Sequence, residues 1–259
     1  MLQNCTMLKP QFTHRAVTIR VRNSMRFPMD VAWFLVQRVG FIRQLYSDST
    51  VPFVERMRLI EAKEPPFEPP YSEDGEPAFL TEWIEASDSV QVLGHACVSM
   101  LAGALHVYFE TWERNARIEI DPEVRTRLFR KKGWLRAYEH VFMQALGVRL
   151  EDSGVDIALL EQLVLARNRT QHPGSLTRVT PTHAPKDLAK HPSPFFLTDR
   201  ERELLADSEA SGFDTSSKWM MEPTLHVDAD KLGAVLAEVE RFANWFDEVC
   251  FDWLYGRSK

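Results

Sequence analysis

Residues 79–114 carry one persistent apolar stripe at helical spacing, marked by Leu80, Trp83, Val90, Leu93, Cys97, Leu101, Leu105, Tyr108 and Trp112. At 3.6 residues per turn such positions return to one face. A helix of this length hides its stripe only against other elements, so the stripe dictates much of the remaining fold. Gly94 and Gly103 interrupt it, each lowering helix propensity by about 1 kcal/mol relative to alanine. Close approach of a neighbouring helix is the expected reason for both glycines.

The same periodicity predicts helices over residues 29–46, 52–62, 133–146 and 156–172, and a last one from Asp228 or Asp230 to about Tyr255. Residues 15–22 alternate polar and β-branched types and predict a short strand. Pro65, Pro66, Pro69 and Pro70 mark a linker, and five prolines between Pro173 and Pro194 mark a loop. Thr198 and Glu201 form a capping box that opens a short exposed helix, with Ser153 or Asp156 as the cap of the helix ending at 172. The expected architecture is all-α, an up-and-down helical bundle over residues 76–259 with an N-terminal extension over 1–75.

Cys5, Cys97 and Cys250 are odd in number and far apart, with no Cys-x-x-Cys pair, so no disulfide framework or zinc knuckle is expected and a reducing cytoplasm fits. No secretion signal is read at the start. Charge is expected to interrupt each apolar stretch before the roughly 18 residues that a membrane span needs. Net charge is −6, which disfavours a general nucleic-acid binder. Its distribution is uneven: up to Tyr46 the sole acidic residue is Asp30, against seven Lys and Arg. A second basic run holds Arg125, Arg127, Arg130, Lys131, Lys132 and Arg136, and such clusters steer polyanions.

The helix expected to end at 172 closes on Arg167-Asn168-Arg169-Thr170-Gln171-His172, followed by Pro173-Gly174. Five positions apart on a helix, Arg167 and His172 lie about 140° apart, so both can lean into one groove. Arginine supplies a permanent forked donor that suits phosphate oxygens, and histidine transfers protons near neutrality. These are the parts for phosphodiester cleavage without a metal.

Arg167-Asn168-x3-His172 resembles the Arg-polar-x(3–5)-His signature of HEPN domains, all-α bundles found in ribonuclease toxins and antiviral effectors. The resemblance spans residues 80–253. It implies an endoribonuclease that uses the RNA 2′-hydroxyl as nucleophile, leaves a 2′,3′-cyclic phosphate and needs no metal or cofactor. Carried over, His172 would assist proton transfer, Arg167 would stabilise the charged transition state and Asn168 would orient one of them, with Glu110, Arg169 and Gln171 in support. Arg125, Arg127, Arg130, Lys131 and Lys132 would contact RNA. Family sites are often shared across a two-fold axis, so a homodimer is implied, with an antitoxin or defence-system partner. The tyrosine that many toxins of the family carry two residues after the histidine is Gly174 here. The alternative is a non-catalytic HEPN-type module that binds a nucleotide or partner protein.

The other histidines compete less well. His95 and His106, eleven apart, are too distant to share an ion, and His183 and His191 are expected to be exposed. The tryptophans fall at helical spacing and read as core anchors before base-stacking platforms. No phosphate loop, nucleophile elbow or dinucleotide fingerprint is present.

Overall fold

A computed structural model describes residues 19–21, 30–70, 77–172, 180–210 and 222–256. Its elements run β1 (Ile19–Val21), α1 (Val31–Ala62), α2 (Leu80–Asn115), β2 (Ile118–Ile120), α3 (Pro122–Lys132), α4 (Trp134–Leu146), α5 (Ile157–Gln171), α6 (Pro185–Lys190), α7 (Asp199–Ala210) and α8 (Ala229–Tyr255), with a 3₁₀ turn at Leu150–Ser153. The chain is overwhelmingly helical, as expected. The one sheet among the described residues is the antiparallel β1–β2 pair, with Ile19 opposite Ile120 and Val21 opposite Ile118. Of the expected strand, Ile19–Val21 is seen and the other positions lie outside the described residues.

The long stripe is buried as its periodicity demands. α2 lies centrally, packed by α1, α5 and α8 and touched by α4. Phe109 of α2 stacks on Tyr138 of α4, ring centroids 5.3 Å apart and 9° from parallel, and also meets Phe142, Phe242 and Phe246. Offset and edge-on ring contacts of this kind add about 0.5–1.5 kcal/mol per pair beyond the area they bury. Tyr108 donates its hydroxyl to the Ala243 carbonyl at 2.9 Å, and Trp112 donates Nε1–H to Asp247 at 3.0 Å, tying α2 to α8.

Residues 89–109 contain no Asp, Glu, Lys or Arg. The expectation that charge breaks every apolar stretch is therefore corrected: α2 has the length and hydropathy of a bilayer-crossing helix, and half of that window is buried inside the fold. A core helix meets the same criteria because it too is apolar over most of its length.

Three local expectations also change. Residues 31–62 form one helix rather than two, with Pro52 inside it. Proline removes a single N–H there, and both Pro52 and Asp48, whose carbonyl loses its partner, face solvent, where water replaces the bond. α3, which the periodicity did not predict, starts at Pro122, its missing N–H falling on the first turn, while Asp121 Oδ1 accepts from the Glu123 and Val124 amides. α6 forms inside the stretch expected to be loop.

The capping expectations hold at three places. Asp156 Oδ1 accepts from the Leu159 amide at 2.9 Å, Asp228 Oδ1 from Lys231 at 2.7 Å, and Thr198 and Glu201 bond reciprocally.

The two glycines of α2 differ. A Cβ at Gly94 would stand 2.8 Å from Val227 Cβ and 3.0 Å from the Val227 carbonyl, whereas at Gly103 it would meet nothing within 4 Å. The extended segment around Val227, not a helix, makes the close approach. Gly94→Ala is expected to destabilise by about 1–3 kcal/mol through overpacking. Gly103→Ala is expected to stabilise by about 0.5–1 kcal/mol, because only the helix-propensity gain remains. Urea denaturation of the two variants checks both signs.

Candidate functional site

The last turn of α5 is pinned to α2 by a hydroxyl pair. Thr170 donates to the Arg167 carbonyl at 2.8 Å, so its 2.8 Å contact with Ser99 has Ser99 as donor. This fixes the phase of the motif. The helix ends at His172, whose backbone N–H reaches the Asn168 carbonyl at 3.1 Å.

Arg167 is half-buried, and its Nη1 donates to Asn168 Oδ1 at 3.1 Å. No carboxylate pairs with it among the described residues. Its charge is felt by His106 of α2, which is packed against the Trp134 ring at 4.7 Å between centroids. His106 lies below its ordinary pKa: burial lowers it most, Glu110 opposes, and the Arg167 and Arg125 charges add to the lowering. The imidazole is thus neutral at pH 7, able to accept a proton or a hydrogen bond. Arg167 offers a permanent cation with donors left over beyond its bond to Asn168.

His172 is exposed, and no hydrogen bond or ion pair joins its ring to Arg167 or to any other described residue. Gln171 is exposed as well. Glu110, which was expected to bond the motif from the next helix, sits instead 3.9 Å from His106 Nε2. Arg169 points away from Arg167 and binds Asp187 of α6 through Nε at 2.8 Å. Asp187 is only 7% exposed, so Arg169 acts as the counter-charge of a buried carboxylate.

Of the basic run, Arg125 turns inward. Its Nη1 is 2.5 Å from Glu113, its Nη2 is 3.4 Å from the Tyr138 hydroxyl, and its guanidinium covers the Phe129 ring at 4.8 Å. Arg127, Arg130, Lys131 and Lys132 are exposed. Arg136 is held by Glu139 at 2.9 Å and by Glu161 at 3.2 Å.

His183 and His191, expected in solvent, are not there. His183 is buried, its Nε2 3.0 Å from the Phe196 carbonyl. His191 reaches within 3.5 Å of the buried Glu161. The cause is long-range: 181–183 runs antiparallel to 223–225, with His183 N–H to the Pro223 carbonyl at 3.0 Å and Leu225 N–H to Pro181 at 2.8 Å.

Sequence reasoning missed His106 as the imidazole that feels the Arg167 charge. The signal was available, since Ser99, His106, Glu110 and Glu113 recur at intervals of seven, four and three and so share one face of α2. Comparison of the chain with family models, with curated proteins and with solved structures finds no match.

The two motif arginines should separate by stability. Arg169→Ala leaves Asp187 buried and unpaired and is expected to cost about 2–4 kcal/mol. Arg167→Ala removes one local hydrogen bond and is expected to cost under about 1 kcal/mol. Equal losses on denaturation would remove the distinction.

Proposed function

We propose that the chain is a metal-independent endoribonuclease of the HEPN type, acting in a toxin or antiviral setting. The observation that carries the reading is Arg167: a half-buried guanidinium oriented by Asn168, with no carboxylate partner among the described residues. Neighbouring Arg125, Arg136 and Arg169 are all neutralised. A fixed cation without a counter-charge is suited to an anionic substrate, and preorganised charge of that kind is usually the largest single catalytic contribution. The mostly helical fold and the motif's position at a helix end against the central helix support the same reading.

In this mechanism the 2′-oxygen of RNA loses its proton and attacks the adjacent phosphorus. The bond from phosphorus to the 5′-oxygen breaks, that oxygen takes a proton, and the products carry a 2′,3′-cyclic phosphate and a 5′-hydroxyl. His172 moves a proton and Arg167 neutralises the charge gathering on the phosphoryl oxygens. The exposure of His172 suits a site completed by a second copy of the chain about a two-fold axis. The competing reading, a non-catalytic module that binds a nucleotide or partner protein, is favoured by the absence of any bond between Arg167 and His172 within one chain.

Cleavage of RNA in EDTA distinguishes them. His172→Ala and Arg167→Ala are each expected to lower the rate by about 10²–10⁴-fold, and Arg167→Lys to recover little, because an ammonium lacks the planar fork. Folded variants that cut at the wild-type rate would remove the enzyme. Cleavage abolished by chelation and restored by magnesium would remove the metal-free mechanism.

A further inference from the structure

A cavity of about 490 Å³ opens where the C-terminal end of α3, one face of α4 and α6 meet, lined by Lys131, Lys132, Arg136, Glu139, His140 and Lys190, with Met143 as its apolar wall. Its size falls within the range of small-molecule sites. Its charge is unbalanced. Four cations line it, against Glu139 in the wall and Glu161 behind, which is bonded by Arg136 and Lys190. Lys131 and Lys132 have no ion-pair partner among the described residues, and their mutual repulsion is relieved when an anion enters.

The lining also says what kind of anion. No Phe, Tyr or Trp lines the cavity, and the small His140 imidazole is the one ring in its wall, so a base gains little stacking there. Arg136 already spends both Nη atoms on carboxylates. The remaining donors are lysine ammoniums, Lys131 and Lys132 unpaired and Lys190 shared with Glu161, point charges that suit phosphate oxygens. The basic run does not make an extended stripe of the sort that tracks a nucleic-acid backbone: Arg125 faces inward, and Arg127 and Arg130 do not line the cavity. Burial, followed by the charge of Lys132, holds the His140 imidazole below its ordinary pKa, in keeping with a positive potential there.

We propose that this cavity binds a compact oligophosphate, a di- or triphosphate chain held by Lys131, Lys132 and Lys190. The site stands independently of the RNA-cleavage reading. Because Arg136 and Lys190 both bond Glu161 of α5, an occupant also competes with the buried carboxylate that joins α4 and α6 to the motif helix.

The test is calorimetric titration of the full chain with tripolyphosphate in EDTA, where saturable one-to-one binding is expected. Lys131 and Lys132 are exposed and make no ion pair among the described residues, so a Lys131→Gln, Lys132→Gln variant keeps its fold. It is expected to bind about a hundredfold more weakly, the weight of two charge-assisted hydrogen bonds. The control Arg127→Gln, Arg130→Gln changes net charge equally and is expected to stay within about twofold of wild type, being outside the cavity. Adenosine triphosphate is expected to bind within about tenfold of tripolyphosphate, since the phosphate chain and not the base carries the binding. No saturable binding by the wild type, or equal losses in the two double variants, would each overturn the site.

Discussion

A carboxylate taken out of water needs a cation beside it, and Glu161 is where this fold meets that demand most strongly. It sits on α5 and is 6% exposed. Burial raises its pKa, but Lys190 and Arg136 outweigh that and hold the carboxyl below its ordinary range. Stability from the cluster is therefore present above the unfolded pKa and is lost as pH falls through the folded value. α6 is six residues long, and three of them are charged; its ion pairs tie it to α5. Lys190 and His191 reach Glu161, and Asp187 reaches Arg169. Through these pairs α4 and α6 are both referred to α5.

The compensation has a consequence for chemistry. Glu161, Asp187 and Glu113 absorb Arg136, Arg169 and Arg125. Among the cations they leave without a carboxylate in the described residues are Arg167, whose charge His106 feels, and the lysines at the end of α3. The sequence holds many cations, and the fold decides which remain available to a ligand. Exposed charge alone would be a weak guide, since solvated surface cations are common and worth little.

Much of the scaffold was legible from periodicity. The stripe of α2, the apolar faces of α5 and α8 and the capping residues Thr198, Asp156 and Asp228 report purely local geometry, and local geometry survives folding. What escaped depends on distant partners. The inward turn of Arg125 needs Glu113 and Tyr138, which are twelve and thirteen positions away along the chain. The burial of His95 and His183 needs the carbonyls of Leu225 and Phe196. At the candidate site the helix and its arginine were legible. Glu110 was assigned to the motif, but it faces His106, because the phase of α2 against α5 is set by the Ser99–Thr170 contact and not by either helix alone.

The central claim is that Arg167, at the end of α5, carries an uncompensated positive charge that the His106 ring feels. Proton NMR titration of the His106 ring measures that charge where it acts. In the wild type the ring should titrate below its ordinary value of 6.5, and in Arg167→Ala it should move upward, since one of the charges lowering it is gone. An unchanged His106 pKa in a folded Arg167→Ala variant would contradict the account.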